Sequence, residues 1–341
     1  MNKPRLIIAA LAASALSLSA CSTGNDFAQS TSSSASAAKE GAQADSGDTI
    51  SIEDNHGTQQ VPKNPQAVAS TDNRTFEVLA KWGIPLVAAP KPIVPFTVEQ
   101  YKKNDEVIDL GSHREPDLEA LTAAEPDLIV NGQRFKQHYD DIKKLNPDTA
   151  IVEFEPREGE PLDAELKRQT TAMGEIFGKQ KEAQALVDDF DKALERARKA
   201  YNKDQKVMAV NVSGGTIGYI APSKGRVFGP IFDMVGMTPA LEIANASDDH
   251  QGDDISVEAI AQANPDWILV LDRDAGTSKR DTAEYVGAKQ VISGAEALKN
   301  TKAISEDHVY YAPEDTYTNE SIITYTEILN QIADQFEAAQ K

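Results

Sequence analysis

The chain has 341 residues, of which 40% are hydrophobic and 26% charged, and its formal net charge is −20. This excess of Asp and Glu argues against a nucleic-acid-binding protein, which requires basic patches. It also argues against a body that lies flat on an anionic membrane surface. Because the background field is negative, any local cluster of arginines is informative.

The N-terminus has the organisation of a secretory signal. Lys3 and Arg5 precede an apolar run over residues 6–18, which is shorter than the roughly 20 residues of a transmembrane helix. The run ends in Leu18-Ser19-Ala20-Cys21, which resembles a bacterial lipobox. That resemblance implies cleavage after residue 20 and a diacylglycerol on Cys21. Cys21 is the only cysteine, so disulfides and thiolate metal sites are excluded.

Residues 21–48 are rich in Ser, Ala, Gly and Gln and poor in bulky apolar residues. Such a segment cannot bury enough surface to order itself, so we predict a flexible tether. Lys3 and Arg5 are the only charged residues before Cys21, so the chain after cleavage carries a net charge of −22, two units below the full sequence. Residues 49–341 are enough for two domains of ordinary size.

Short apolar runs alternate with helical stretches on both sides of a long central segment. A hairpin is expected around residues 55–57. The predicted strands cover residues 67–70, 86–89, 127–131, 150–155, 206–212, 216–221, 267–272 and 309–312. The predicted helices cover residues 76–82, 118–124, 228–235, 257–263 and 321–336. This alternation predicts mainly parallel sheets with helices on their faces.

Residues 164–203 differ, because apolar residues recur there at three- and four-residue steps without a proline. The pattern predicts one long amphipathic helix or two abutting helices. We therefore predict two Rossmann-like α/β lobes, over residues 49–163 and 204–341, joined by a long rigid α-helix over residues 164–203. The ligand cleft is expected between the lobes.

An internal repeat supports two similar lobes. Residues 119–129 resemble residues 258–268 at a constant offset of 139, and both segments place Pro-Asp before a buried strand. The same offset pairs Arg134 with Arg273. Ligands of open α/β sheets bind beyond the carboxyl ends of the strands. Arg226 precedes a predicted helix, where an anion is favoured. Three guanidinium groups at one cleft predict a polyanionic ligand.

At these positions the sequence resembles a family, the helical-backbone (class III) solute-binding lipoproteins of ABC importers for iron–siderophores, haem and vitamin B12. It is most similar to the branch for catecholate complexes such as those of enterobactin or petrobactin type. The matching segments are Gly111-Ser112, Asp117-Leu118-Glu119-Ala120-Leu121, Pro126-Asp127-Leu128-Ile129-Val130, Gly132-Gln133-Arg134, Gly225-Arg226-Val227-Phe228-Gly229, His250-Gln251-Gly252, Pro265-Asp266-Trp267-Ile268-Leu269-Val270-Leu271-Asp272-Arg273 and Tyr310-Tyr311-Ala312-Pro313-Glu314.

The resemblance implies a monomeric, lipid-anchored binding protein on the extracytoplasmic face of the cell membrane. It would capture a ferric siderophore, which is its ligand and not an intrinsic cofactor, and deliver it to an ABC permease. Arg134, Arg226 and Arg273 fall on the family's arginine triad. Arginine suits a ferric tris-catecholate trianion because it combines charge, planar donors and stacking.

The resemblance also implies roles for two further pairs of residues. His250 and Tyr317 match residues that complete the iron shell when a siderophore fills only four sites, and a phenolate is a hard anionic donor. The alternative is an exposed loop histidine and a packed tyrosine. Glu119 and Glu258 match residues that dock onto the permease. The alternative is a favourable interaction with a helix N-terminus.

Other functions remain open from the residues alone. The same fold could bind haem, cobalamin or a hydroxamate siderophore, and a surface α/β hydrolase is a second alternative. The sequence contains no Gly-rich phosphate loop and no nucleophile elbow, and its five histidines include no short-spaced pair of the zinc-binding kind. We therefore expect no catalytic activity.

Overall fold

The computed structural model of the protein describes residues 48–340. The predicted signal peptide over residues 1–20, Cys21 and nearly all of the predicted tether lie outside these residues. The described chain opens with an antiparallel hairpin of β1 (Thr49–Asp54) and β2 (Gly57–Pro62). This hairpin confirms the prediction made from alternating residues around a turn.

The N-terminal lobe is built on a parallel five-stranded sheet with the order β5-β4-β3-β8-β9. Its strands are β3 (Val68–Ser70), β4 (Leu86–Ala89), β5 (Ile108–Asp109), β8 (Leu128–Asn131) and β9 (Ala150–Glu153). All residues of β3 and β8 are buried, as expected for central strands of a sheet covered on both faces. The strand order reverses between β3 and β8, and in open α/β sheets this switch point is where ligands bind.

Short helices and one small hairpin complete this lobe. The helices are α1 (Phe76–Lys81), α2 (Glu99–Lys102), α3 (Leu118–Ala123) and α4 (Tyr139–Leu145), and the hairpin strands are β6 (Gly111–Ser112) and β7 (Glu115–Pro116). The segment between β8 and α4 forms a 3-10 helix over Gln133–His138. It carries Arg134 directly beyond the carboxyl end of β8.

Two consecutive helices join the lobes. They are α5 (Leu162–Ile176) and α6 (Gln180–Ala200). Of the two predicted forms, one long helix or two abutting helices, the second is observed, because the chain turns at Gly178, where φ is +63°. Such a left-handed residue ends a helix, and glycine adopts it without a Cβ penalty.

The C-terminal lobe is built on a mixed six-stranded sheet with the order β13-β11-β10-β14-β15, and β12 also pairs with β10. Its strands are β10 (Lys206–Ser213), β11 (Thr216–Tyr219), β12 (Thr238–Pro239), β13 (Asp253–Asp254), β14 (Trp267–Asp272) and β15 (Val309–Tyr311). The helices of this part are α7 (Phe228–Val235), α8 (Val257–Ala263), α9 (Ala288–Gly294), α10 (Lys302–Ser305) and α11 (Ile322–Ala338). The pairs β10–β14 and β14–β15 are parallel.

The repeated Pro-Asp pairs have the same structural role in both lobes. The Asp127 carboxylate accepts hydrogen bonds from the backbone N–H groups of Gln66 and Ala67, at 2.7 and 3.0 Å, where the chain enters β3. The Asp266 carboxylate accepts one from Lys206 at 2.6 Å, at the start of β10. Each aspartate thus fixes the register of its strand against the neighbouring strand. The sequence repeat therefore corresponds to topologically equivalent strand pairs.

The two sheets share one apolar core. Its largest cluster contains residues of both sheets together with buried side chains of α5, α6 and α11, such as Met173, Phe190 and Ile328. Two smaller clusters cover the opposite face of each sheet. The described residues, 48–340, all belong to one compact unit. Within residues 48–340 we find no helix whose length and apolar character would allow it to cross a bilayer.

Candidate ligand-binding site

The side chain of Tyr317 lies at the meeting point of the three predicted arginines. The guanidinium carbon atoms of Arg134, Arg226 and Arg273 lie 5.3, 4.4 and 5.0 Å from the centroid of its ring. Arg134 belongs to the N-terminal lobe, and Arg226 and Arg273 belong to the C-terminal lobe. The structure thus brings together positive side chains from both lobes, as the sequence predicted.

Arg134 is positioned by a close approach of the backbone after β8. A Cβ atom at Gly132 would lie 2.6 Å from a carboxylate oxygen of Asp72, so only glycine fits there. The next residue, Gln133, has a φ of +51°, and its N–H donates to Glu155 at 3.0 Å. This turn directs the chain into the 3-10 helix that begins at the switch point of the sheet.

Arg226 lies in a tight loop before α7. The N–H of Phe228 donates to the carbonyl of Arg226 at 2.8 Å, and the central residue, Val227, has φ +65° and ψ −69°. This is a γ-turn with a positive φ, which is strained for a β-branched residue. A Cβ atom at Gly225 or Gly229 would lie within 2.8 Å of the backbone of Ala221. Backbone strain of this kind is typical of binding and catalytic sites.

Arg273 follows β14, at the position that the repeat pairs with Arg134. Its backbone N–H donates to Val212 at 3.0 Å and continues the pairing of β10 with β14. Its Nη1 donates to the carboxylate of Asp274 at 2.9 Å. Arg273 therefore extends from the carboxyl end of the sheet, as predicted.

Tyr317 is 3% exposed, in a series of turns over residues 313–319 between β15 and α11. Its hydroxyl accepts a hydrogen bond from Nη2 of Arg134 at 2.9 Å. Burial alone raises the pKa of the phenol, but the charges of Arg226, Arg134 and Arg273 and the bond from Arg134 outweigh burial, so the pKa lies below its ordinary value. The arrangement stabilises a phenolate.

Two buried carboxylates pair with this cluster, and sequence reasoning did not identify them as part of the site. Glu320 forms an ion pair with Arg226 and a longer one, at 3.5 Å, with Arg74. Asp274 pairs with Arg273. The adjacency of Arg273 and Asp274 was visible in the sequence, but nothing in the sequence signalled Glu320, which precedes α11 by two residues.

His250 lies in the loop before β13, and its side chain is 42% exposed. Burial lowers the pKa of its imidazole, and the positive charges of Arg273, Arg134 and Arg226 lower it further, against the opposing effect of Asp249. His250 therefore lies within the field of the arginine cluster. A neutral imidazole is the form that coordinates a metal ion.

Glu119 and Glu258 occupy equivalent places on exposed helix starts. Each lies in the first turn of its helix, α3 or α8, two residues after a capping side chain. Asp117 caps α3 through the N–H of Ala120 at 2.8 Å, and Ser256 caps α8 through Ala259 at 3.1 Å. Neither glutamate makes an ion pair or side-chain hydrogen bond with another residue of the described part of the chain.

A cavity of about 990 Å³ is lined by residues of both lobes, including Arg134 and Arg226 of the cluster, whereas Arg273, Tyr317 and His250 do not line it. Gln133 and Arg134 line it from the N-terminal lobe, Lys224 and Arg226 line it from the C-terminal lobe, and Glu320 lies between them. Its volume is in the range of a small-molecule site.

His113, in the β6–β7 hairpin, is a second histidine near the cluster that the sequence did not single out. Its pKa is lowered by burial and by the charges of Arg134, Arg114, His138 and Arg226. Across residues 48–340 no group of three or more His, Cys, Asp or Glu side chains could hold a bare metal ion.

Two α/β lobes with a cavity and convergent charged groups between them define a solute-binding protein. The chain belongs to the periplasmic binding protein family, whose sequence pattern matches residues 68–316.

The known proteins that are similar to this chain include three binding proteins. The ferric-anguibactin-binding protein FatB of Vibrio anguillarum is 30% identical over 281 residues, which cover 80% of this chain and 85% of FatB. The petrobactin-binding protein YclQ of Bacillus subtilis is 29% identical over 99% of this chain and 100% of YclQ. The crystal structure of VctP, the periplasmic catecholate-siderophore binding protein of Vibrio cholerae, superposes with a TM-score of 0.71 at 25% identity and covers 85% of this chain and 99% of VctP.

Proposed function

We propose that this protein captures an anionic ferric siderophore, of the catecholate type, between its lobes and delivers it to an ABC importer. The observation that carries the proposal is the convergence of Arg134, Arg226 and Arg273 on Tyr317. A ferric catecholate is an anion with aromatic faces, and guanidinium groups complement both features. The relatives FatB, YclQ and VctP, which are named as binding ferric anguibactin, petrobactin and catecholate siderophores, support the same ligand class.

His250 and Tyr317 are proposed to complete the iron coordination of a siderophore that fills only four sites. The lowered pKa values of both groups favour the forms that bind iron. In the structure Arg134 holds the Tyr317 hydroxyl, and the guanidinium groups cover the ring. Coordination by Tyr317 therefore requires that its buried oxygen, which accepts a hydrogen bond from Arg134, become accessible to the incoming iron.

The remaining parts of the proposal concern the membrane. Cys21 is the proposed site of lipid attachment, which would hold the monomeric protein on the extracytoplasmic face. Glu119 and Glu258 are proposed to dock onto basic pockets of the permease, because both are exposed on equivalent helix starts of the two lobes. A Cys21→Ala variant that stayed with the membrane fraction would contradict the anchor.

Fluorescence-quenching titrations of the whole chain test the ligand class. The panel contains a ferric tris-catecholate, a ferric bis-catecholate, a ferric hydroxamate, haem and cobalamin. We expect saturable quenching of the buried tryptophans, Trp82 and Trp267, by the catecholates at the lowest concentrations. A preference for the neutral or cationic hydroxamate would contradict the proposal.

A further inference from the structure

Two of the three arginines in the site form ion pairs with carboxylates that the fold buries. Glu320 pairs with Arg226, and Asp274 pairs with Arg273. The Glu320 and Asp274 side chains are only 4% and 8% exposed. Arg134 differs, since it makes no ion pair with any carboxylate among residues 48–340. The charge of the cluster is therefore smaller than the number of arginines indicates.

Both carboxylates are anchored to groups outside the cluster. The second oxygen of Glu320 pairs with Arg74, which is itself held by Glu155 at 2.9 Å. The second oxygen of Asp274 accepts a hydrogen bond from the backbone N–H of Gly214 at 2.6 Å and lies 3.8 Å from Nζ of Lys279, whose side chain is 53% exposed. These bonds keep the carboxylates in place when a ligand approaches. Their negative charge is a permanent part of the site.

The two carboxylates lower the net positive charge that the arginine cluster presents to a ligand. Three guanidinium groups and two carboxylates leave one net positive charge when the Tyr317 phenol is neutral. The pair of Arg74 with Glu155 adds no net charge, and the charge of Lys279 lies on a half-exposed side chain, where solvent screens it. Charges in a partly buried site interact several times more strongly than in water, so the net charge matters to the ligand. A trianion would meet less compensating charge than the arginines alone would provide, whereas a monoanion would be matched.

We propose that Glu320 and Asp274 are specificity determinants that make the site favour ferric complexes of low negative charge over trianions. The inference rests on the proposed function and refines the expected tris-catecholate trianion. It names the ligand class as a complex such as a ferric bis-catecholate, which carries a single negative charge.

The test varies charge at constant ligand shape. One hexadentate tris-catecholate ligand forms a dianion with titanium(IV) and a trianion with gallium(III), and isothermal titration calorimetry measures the binding of both. We expect the wild-type chain to prefer the dianion. In Glu320→Gln and in Asp274→Asn, this preference should shift toward the trianion by about threefold to tenfold, because each variant removes one negative charge beside the ligand.

Glu296→Gln is the matched control, since it removes an exposed carboxylate that pairs only with Lys299 among the described residues. It should leave the preference unchanged. Equal weakening of both complexes in Glu320→Gln and Asp274→Asn would overturn the inference, because the carboxylates would then only orient the arginines. Should Glu320→Gln fail to fold, Asp274→Asn alone decides. A wild-type chain that bound neither complex would instead contradict the proposed function.

Discussion

The guanidinium group of Arg226 contacts both the ring and the backbone of Tyr317. Its carbon atom lies 4.4 Å from the ring centroid, and its Nη2 donates to the Tyr317 carbonyl at 3.2 Å. The two residues are 91 positions apart in the chain. The same loop bonds to the N-terminal lobe, where Asn73 donates to the Thr318 carbonyl at 2.9 Å. A ligand that displaces Tyr317 therefore acts on contacts with both lobes.

Substitution of each arginine by alanine should weaken ferric-catecholate binding. One lost charge-assisted hydrogen bond costs about 1.5–3 kcal/mol, which corresponds to roughly tenfold or more in Kd. The free energy of unfolding should fall more in Arg226→Ala than in Arg134→Ala. Arg226→Ala leaves the buried Glu320 carboxylate with only Arg74 as a partner, whereas Arg134→Ala leaves no carboxylate without its ion pair. Quenching titrations and urea unfolding of each variant check both expectations.

Arg196→Ala provides a control for the loss of one positive charge, since Arg196 pairs with Asp334 on the surface between α6 and α11. Its affinity for the ferric complex should equal that of the wild type. Unchanged affinity in Arg134→Ala, Arg226→Ala and Arg273→Ala would remove the basis of the proposed site.

His250→Ala and Tyr317→Phe should change the visible absorption spectrum of a bound tetradentate ferric complex. Each variant removes one proposed iron ligand, and a phenolate contributes a charge-transfer band that phenylalanine cannot. A hexadentate ferric complex has no open coordination site, so its bound spectrum should be the same in all three proteins. Identical spectra of the tetradentate complex would show that neither side chain reaches the iron.

Much of the fold follows from local sequence. The bounds of α7, α8 and β14 equal the predicted ones, because glycines, capping residues and continuous apolar runs delimit them. The short strands β5, β12 and β13 were not predicted, since two residues carry no usable periodicity. Their pairing depends on neighbours that are distant in the sequence.

The arginine cluster was predictable because the repeat places Arg134 and Arg273 at equivalent strand ends. The pairing of Glu320 with Arg226 was not, since it depends on how the loop before α11 packs between the lobes. The break between α5 and α6 shows a similar limit. Gly178 was visible as a weak point, but only packing decides whether a helix continues through a glycine.

The stability of the wild-type chain should fall between about pH 4 and pH 7 because of Asp72. This carboxyl is fully buried, and burial raises its pKa from 3.8 to about 7 despite the nearby Arg74. The folded chain therefore holds a proton that the unfolded chain releases as the pH rises through 3.8. The free energy of unfolding therefore decreases until the pH reaches the pKa of Asp72 in the folded chain. The total decrease is of order 4 kcal/mol, since one pKa unit is about 1.4 kcal/mol.

Asp72→Asn removes this titration and keeps the size of the side chain. Its amide can still bond to Gln169, which contacts Asp72 at 2.8 Å and can rotate its own amide to accept. Urea unfolding of both proteins between pH 4 and pH 8 should give curves that diverge as the pH rises, with the variant more stable at pH 8. Parallel curves would show that Asp72 does not titrate in this window.

Glu119→Lys and Glu258→Lys should impair transfer of the ferric complex to the permease without changing its capture. Both residues are exposed and lie outside the cavity between the lobes, so a reversed charge there should repel the proposed basic pockets. The measurement is uptake by vesicles that contain the permease, alongside Kd for the ferric complex. Glu125→Lys, which is also exposed on the N-terminal lobe, provides a control. Normal uptake by both variants would favour the alternative role at the helix N-terminus.

Gly174→Ala should destabilise the protein although alanine is the better helix former. In an exposed helix this change gains about 1 kcal/mol. Here a Cβ atom at Gly174 would lie 2.5 Å from the Cβ atom of Ala183, so α5 and α6 would have to separate, at a cost of about 1–3 kcal/mol.

Gly294→Ala is the matched control, because a Cβ atom there meets nothing within 4 Å. The double variant with Ala183→Gly removes the overlapping methyl group and should recover most of the loss in urea unfolding. A stable Gly174→Ala protein would show that the two helices are not held in close contact.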